Sequence, residues 1–316
     1  MSSTGDQEAA GPRATSWAEV VRLRTLPAAV APVILGAGAA AGLGAFSPVR
    51  TLLAAGVALA LQIGCNLAND YSDGIRGTDH DRVGPPRLTA SGVPPRAVKQ
   101  AAFGCFGIAA LLGLALIVLS GQWWMLALGA AAIAAAWYYT GGARPYGYAG
   151  LGEVAVFIFF GLVATAGTTY IQAGTVPGWL WPAACGIGLI ACSLLMVNNL
   201  RDIDTDPAAG KRTLAVRLGE QRARDAFICL LVLPLILGLV TLPWARTADG
   251  ALAARWEVAL MGLLVLVPSA AMASRAARPV LRGARGRDLI PVLRDAGLLE
   301  LIYGIALAVA IAVVAR

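Results

Sequence analysis

Nine long apolar stretches occupy most of the sequence and restrict the folds that are open to it. Each has about 20 mainly apolar residues, the length that a helix needs to cross a bilayer. They lie at 26–45, 51–71, 98–119, 122–140, 151–172, 178–199, 226–244, 257–275 and 297–315. Charged residues make up only 14% of the chain, well below the share in soluble domains. We therefore predict an all-α polytopic membrane protein, a bundle of about nine transmembrane helices.

Arginine and lysine concentrate in alternate loops between these stretches. Basic residues precede the first stretch and follow the second, fourth, sixth and eighth, whereas the other loops carry only Arg50, Arg246 and Arg255. Because cytoplasmic loops carry the excess of positive charge, we predict a multi-pass protein of the cell membrane with a cytoplasmic N-terminus and an external C-terminus. The net charge of +7 then reflects orientation in the membrane, and nucleic acid is not expected as a partner.

The N-terminal segment and the cysteines narrow the class of protein further. Residues 1–16 are polar and lack the basic and then apolar order of a signal peptide, so we predict a disordered cytoplasmic tail followed by one transmembrane domain at 17–316. The five cysteines lie in apolar stretches without metal-ligand spacing, and His80 is the only histidine. Disulfides, a zinc site and hydrolase chemistry are therefore poorly supported.

Two segments rich in aspartate and asparagine end the second and sixth stretches. In the first segment Asn66, Asn69, Asp70 and Asp73 are spaced i, i+3, i+4 and i+7, so a helix places all four on one face. Asp79 follows in a glycine-containing loop that can fold back. Both segments are predicted to lie on the cytoplasmic side.

The second segment has a similar spacing. Asn198, Asp202 and Asp206 are spaced i, i+4 and i+8, which predicts another helical stripe that ends at Pro207. Ionisable groups within a membrane are costly and usually have a function. Two acidic stripes on one side of the membrane would repel each other unless a cation lay between them.

A set of carboxylate and amide oxygens is suited to bind a hard cation. Mg²⁺ takes one or two carboxylates together with phosphate oxygens and water. Each segment could therefore hold one ion, and a diphosphate could bridge the two ions. Lys211, Arg212 and Arg87 are the candidate anion holders nearby. Two other interpretations stay open: the acids cap helices or pair with arginines such as Arg76 and Arg201, and the basic residues contact lipid headgroups.

The two acidic segments carry the motifs Asn69-Asp70-x-x-Asp73 and Asp202-x-x-x-Asp206. Together these motifs resemble one known family, the UbiA superfamily of intramembrane aromatic prenyltransferases. The superfamily usually has a third aspartate where this chain has Gly77, and Asp79 comes two residues later. In this shift the chain resembles the branch whose acceptor is 1,4-dihydroxy-2-naphthoate. Three further motifs resemble the same branch: Arg24-Thr-Leu-Pro-Ala-Ala-Val-Ala-Pro32, Pro145-Tyr-Gly-Tyr-x-Gly-Leu-Gly-Glu153 and the segment from Asn199 to Leu214.

The resemblance implies a nine-helix bundle that transfers a polyprenyl group from polyprenyl diphosphate to 1,4-dihydroxy-2-naphthoate, with loss of CO₂ and diphosphate, to give demethylmenaquinone. It implies two Mg²⁺ ions, one held by Asp70, Asp73 and Asp79 and the other by Asp202 and Asp206. Asp70, Asp73, Asp202 and Lys211 would be catalytic. The substrate-binding residues would be Asn66, Asn69, Arg87, Arg144, Asn198 and Arg212, with Arg144 on the acceptor carboxylate.

Three alternatives compete with this function. The first is a prenyltransferase of the same family with another aromatic acceptor, 4-hydroxybenzoate or homogentisate. A cation-coupled transporter also has many helices and buried acids, but its acids usually lie at midspan beside broken helices and not at helix ends. A scaffold that binds anionic lipid would explain the basic loops but not the acidic stripes.

Overall fold

The computed structural model describes residues 17, 26–77, 87–248 and 255–315, and the regular structure in these ranges is entirely helical. The N-terminal part contains six long helices: α1 (Leu26–Gly42), α2 (Pro48–Arg76), α3 (Pro95–Ser120), α4 (Met125–Tyr138), α5 (Gly152–Ala173) and α6 (Leu180–Arg201). A 3₁₀ turn at Tyr146–Ala149 precedes α5. The predicted tail at 1–16 lies outside the described residues.

The C-terminal part contains a short helix and three long ones: α7 (Leu214–Leu218), α8 (Glu220–Ala248), α9 (Arg255–Leu281) and α10 (Ile290–Val314). A 3₁₀ turn at Gly286–Leu289 leads into α10. Each of the nine predicted apolar stretches coincides with one of the long helices.

Not all of these helices have the length of a membrane span. Within the described ranges, seven are long and apolar enough to cross a bilayer, whereas α1 and α4 are apolar but have only 17 and 14 residues. The all-helical membrane architecture is thus confirmed, and the count of nine spans and the orientation of the termini stay predictions.

Local sequence signals explain where α2 begins and ends. Ser47 has an extended backbone and caps the first turn by accepting a hydrogen bond from the Arg50 amide, with Pro48 at the first helical position. At the other end Gly77 adopts a left-handed conformation (φ +68°), which costs glycine little, and its N–H bonds to carbonyls of the last turn. The residue at the usual third-aspartate position is therefore the helix terminator.

The helices form two regions with different interiors. The large apolar core lies among α1, α6, α8, α9 and α10, where Leu35, Ile187, Phe227, Val265 and Leu307 are fully buried. The helices α1 to α6 enclose the cavity described below. Helix α1 packs against α10 as well as α2 and α5, so the first and last long helices of the described ranges are neighbours.

Glycine permits the close approach of α1 and α10. A methyl group built on Gly38 would come within 2.5 Å of the Ala308 Cα and Cβ atoms, closer than real side chains approach backbone. We expect Gly38→Ala to lower the free energy of unfolding by about 1–3 kcal/mol because α1 would have to move away from α10.

Gly104 on α3 is the matched control for this prediction, since a methyl group there meets nothing within 4 Å. Gly104→Ala should be neutral or stabilising by up to about 1 kcal/mol through helix propensity. Denaturant unfolding of both variants in detergent micelles measures the difference. Equal stability of the two variants would contradict the proposed close contact.

Candidate active site

A cavity of about 420 Å³ lies among the six helices α1 to α6. Most of its wall is apolar and comes from all six helices, and one end carries polar side chains. Residues of α5 reach the wall from a π-helical segment, Phe157–Val163, which contributes Phe159 and Phe160. Such segments rearrange the side chains around a helix and are frequent at functional sites.

The first acidic segment is helical and buried, as its spacing predicts. Asn66, Asn69, Asp70 and Asp73 are each at most 9% exposed on the last turns of α2. Asn66, Asn69 and Asp73 line the cavity. The Asn69 Oδ1 atom accepts a hydrogen bond of 2.7 Å from the Thr140 hydroxyl, which fixes the direction of the amide.

Asp73 is the centre of a cluster of charged and polar side chains, which we call the Asp73 cluster: Asp73, Arg87, Lys211 and Tyr148. One carboxylate oxygen lies 2.7 Å from Arg87 Nη2 and 3.2 Å from Lys211 Nζ. The other oxygen accepts a hydrogen bond from the Tyr148 hydroxyl. Lys211 also lies over the Tyr148 ring, 5.0 Å from its centroid, in a cation–π contact.

Asp70 is buried beside Asp73 but does not line the cavity. Its carboxylate accepts hydrogen bonds from the Leu88 and Thr89 amides and from the Thr89 hydroxyl. The four residues of the first stripe thus face two different environments. Asp79, the remaining predicted ligand, lies outside the described residues.

The second acidic segment is not a helical stripe, and that prediction was wrong. Helix α6 ends at Arg201, Asp202 caps it (φ −99°, ψ 12°), and residues 202–210 form turns. Aspartate competes with the helical backbone through its short side chain, and three aspartates follow within five residues. The chain turns at once, with the Asp206 amide bonded to the Asp202 carbonyl at 2.9 Å.

The turns nevertheless bring the second segment to the same cavity. Asn198, Asp202 and Asp206 all line it, whereas Asp204 between them is exposed. Lys211 links the two segments, because its amide donates to the Asp206 carbonyl at 2.9 Å and its side chain reaches Asp73. The two acidic segments therefore meet on the wall of one cavity.

One of the competing interpretations holds for part of the site. Arg201 is buried and pairs with the neighbouring Asp202, its Nε atom 2.9 Å from the carboxylate. Arg76 instead donates to the Thr140 and Gly142 carbonyls. Asp202 is thus charge-paired and also part of the cavity wall.

Two predicted substrate-binding arginines are not brought to the cavity. Arg144 and Arg212 are exposed and absent from its lining. The backbone of Arg212 has a structural contact, since its amide donates to the Tyr148 carbonyl at 2.9 Å and joins the loop after α6 to the 3₁₀ turn. Arg87 and Lys211 are the predicted basic residues that line the cavity.

Sequence reasoning missed three polar contributors. Tyr148 contacts Asp73, and Thr140 contacts Asn69. Neither Tyr148 nor Thr140 belongs to an acidic segment. Asn199 lines the cavity and donates a hydrogen bond of 3.1 Å to Glu153, a buried residue in the first turn of α5. The signal for Tyr148 was its place in the Pro145–Glu153 motif, but an aromatic residue near a helix end is also typical of a membrane interface.

Comparison with known proteins agrees with this architecture. The sequence pattern of the UbiA prenyltransferase family matches residues 29–282. The chain belongs to the UbiA prenyltransferase family. Among relatives, the 1,4-dihydroxy-2-naphthoate octaprenyltransferase of Mycobacterium tuberculosis (strain ATCC 25618 / H37Rv) is 51% identical over 298 residues, which cover 94% of this chain and 96% of the relative. The enzyme of that name from Escherichia coli (strain K12) is 44% identical over 229 residues, 70% of this chain and 74% of the relative.

Solved UbiA structures share the fold. An apo UbiA homolog from Aeropyrum pernix K1 superposes with a TM-score of 0.66 at 16% identity, covering 92% of this chain and 98% of the other. A UbiA homolog from Archaeoglobus fulgidus bound to DMAPP and Mg²⁺ has a TM-score of 0.63 at 16% identity, covering 93% of this chain and 99% of the other. The UbiA fold thus extends over nearly the whole chain.

The donor set at the polar end fits a hard divalent cation. In the described ranges no three acidic, histidine or cysteine side chains gather into one metal cage. Mg²⁺ does not require one, because it usually combines one or two carboxylates with substrate phosphates and water. Asp73 with the Asn69 amide, and Asp202 with Asp206, supply oxygen donors of that kind on the wall of one cavity.

The Glu153–Asn199 hydrogen bond joins α5 to α6, and its contribution to stability is testable. Glu153→Leu leaves the buried Asn199 amide without this acceptor, so we expect a loss of about 1–3 kcal/mol in the free energy of unfolding. Glu153→Gln keeps an acceptor oxygen of the same reach and should lose less. Thermal unfolding of the two variants measures the gap, and an equal loss would show that the hydrogen bond contributes nothing.

Proposed function

We propose that this protein transfers a polyprenyl group from polyprenyl diphosphate to 1,4-dihydroxy-2-naphthoate, with release of CO₂ and diphosphate. The observation that carries the proposal is the convergence of both acidic segments, Arg87 and Lys211 on the polar end of one largely apolar cavity. The relative with 51% identity over nearly the whole chain bears the name of that activity.

The polar end suits the diphosphate. When bound, Mg²⁺ supplies Lewis-acid neutralisation of the diphosphate, and Asp73, Asp202 and Asp206 are the carboxylates that would hold it. Lys211 and Arg87 add fixed positive charge at the place where negative charge develops on the leaving group. Tyr148 holds the Asp73 carboxylate in place and lies beneath Lys211.

The apolar part of the cavity suits the prenyl chain. Leu128, Phe159, Val163 and Ile171 are among its lining residues. This wall excludes water from the allylic carbon while its bond to oxygen breaks, so the electron-rich acceptor ring is the available nucleophile. The carboxyl-bearing carbon of the acceptor forms the new bond, and CO₂ leaves with the bonding electrons returned to the ring.

Charge distribution supports a location of this site at the cytoplasmic face of the cell membrane. The cavity end that carries Arg87, Lys211 and Asp202 belongs to the loops rich in arginine and lysine, and such loops stay in the cytoplasm. Both substrates are anionic and would enter the polar end from that side.

The decisive experiment supplies purified protein with a polyprenyl diphosphate, Mg²⁺ and a panel of acceptors. We expect product with 1,4-dihydroxy-2-naphthoate and release of labelled CO₂ from its carboxyl group. Product only with 4-hydroxybenzoate or homogentisate would show that the proposed acceptor is wrong. Absence of product with every acceptor, in protein shown to be folded, would remove the transferase function.

Aspartates of the two acidic segments offer a matched comparison. Asp73→Asn, Asp202→Asn and Asp206→Asn should each lower kcat by about 100-fold or more, because each removes a charge that faces the diphosphate site. Asp204→Asn changes the same residue type at an exposed position between two of them and should retain nearly full activity. Steady-state measurement of kcat for the four variants checks this prediction. A comparable loss of kcat in Asp204→Asn would mean that the carboxylates act through net charge alone.

The basic residues divide by their position. Arg87→Gln and Lys211→Gln should raise the KM for polyprenyl diphosphate by about 10- to 100-fold, the worth of one charge-assisted hydrogen bond. Arg144→Gln and Arg212→Gln remove the same charge from exposed side chains and should change it by less than about threefold. A large effect at Arg144 on the KM for the acceptor alone would restore its predicted role as the holder of the acceptor carboxylate.

A further inference from the structure

We propose that Asp70 is a positioning residue that anchors the loop carrying Arg87, and that it does not bind the metal. The proposal rests on the proposed function for its kinetic consequences, because Arg87 is assigned there to the diphosphate. Its structural part, the attachment of the loop at residues 87–92 to α2, is independent of the reaction.

Both oxygens of the Asp70 carboxylate are used by this loop. One accepts the Leu88 amide at 2.9 Å, and the other accepts the Thr89 amide at 3.3 Å and the Thr89 hydroxyl at 3.1 Å. A metal ion would have to replace these bonds at a carboxylate that is fully buried and outside the cavity wall. A carboxylate that accepts several backbone N–H groups is a strong and directional anchor.

The remainder of the loop is arranged around this anchor. Leu88 is fully buried and packs in an apolar cluster with Leu67, Ala68 and Phe106. Amides of Ser91 and Val93 donate to carbonyls of Arg87 and Leu88, which closes the loop into turns. The loop lies directly on α2, since a methyl group on Gly74 would come within 2.2 Å of the Thr89 hydroxyl oxygen.

Arg87 immediately precedes the anchored residues, and its guanidinium reaches Asp73 at 2.7 Å. Asp70 and Asp73 lie one helical turn apart, so one carboxylate of α2 holds the loop backbone and the next meets the side chain that the loop delivers. The pair of aspartates therefore has divided roles: Asp73 belongs to the site, and Asp70 sets the position of Arg87.

The test compares Asp70→Asn, Thr89→Val, Thr89→Ser, Arg87→Gln and the double variant Asp70→Asn/Arg87→Gln. For Asp70→Asn we expect a rise of about tenfold in the KM for polyprenyl diphosphate, the size of one lost charge-assisted hydrogen bond. Thr89→Val should follow in the same direction and Thr89→Ser should match wild type, because serine keeps the hydroxyl donor. The Mg²⁺ concentration for half-maximal turnover should stay unchanged in all three.

The double variant separates action through Arg87 from direct metal binding. If Asp70 acts through Arg87, Asp70→Asn should add less than about twofold once Arg87 is glutamine, since coupled residues are not additive. A raised Mg²⁺ requirement in Asp70→Asn, with multiplicative effects in the double variant and none in Thr89→Val, would identify Asp70 as a metal ligand and overturn the proposal.

A readout without turnover keeps this inference distinct from the proposed function. Hydrogen exchange at the Leu88 and Thr89 amides should accelerate at least about tenfold in Asp70→Asn and remain slow in Asp73→Asn. Unchanged exchange in Asp70→Asn would overturn the anchor even in an active enzyme. Should Asp70→Asn fail to fold, Thr89→Val against Thr89→Ser gives the same comparison from the other side of the bond. Faster exchange in a protein that accepts no aromatic substrate would leave the anchor intact and remove only the transferase function.

Discussion

The Asp73 cluster is the interaction on which the polar end of the cavity depends. It joins four separate segments: α2, the loop after it, the 3₁₀ turn before α5 and the loop after α6. A buried carboxylate is costly unless its charge is balanced and its oxygens are hydrogen-bonded, and here one residue from each of three other segments meets that need. The cluster therefore connects these four segments at the polar end of the cavity.

The two regions of the bundle divide the work of folding and binding. The C-terminal helices, with α1 and α6, bury a continuous apolar core and supply rigidity, whereas α2 to α5 pack around an open volume. Helix α6 belongs to both regions: its middle lies in the core and its end carries Asn198 and Asn199 into the cavity. The polar end is thus built on the most deeply packed helix of the molecule, which favours a site of fixed geometry.

Apolar length and helical spacing allowed much of this architecture to be predicted. The nine long helices of the described ranges follow from apolar length, because a run of apolar residues in a membrane has few alternatives to the helix. The shared face of Asn66, Asn69 and Asp73 follows from their spacing. The end of α6 did not follow. The i, i+4 spacing from Asn198 to Asp206 fits a helix, but aspartates at a helix end favour turns, and the two signals conflict in the same residues.

Long-range contacts account for the other differences. Nothing in the spacing of Asp70 and Asp73 distinguishes a carboxylate that faces a loop from one that faces the cavity, since the partner amides at Leu88 and Thr89 carry no side-chain signal. Arg144 and Arg87 likewise look equivalent as basic residues after an apolar stretch, and only the folded chain exposes one and buries the other.

The contact between α1 and α10 imposes an order on assembly. Helix α1 contributes Ala28, Ala29 and Val33 to the cavity wall, yet its main packing partner is α10, which lies far along the chain. During synthesis α1 emerges long before this partner, because residues 43–289 separate the two helices. Until α10 inserts, the face of α1 that packs against it would lack its main partner.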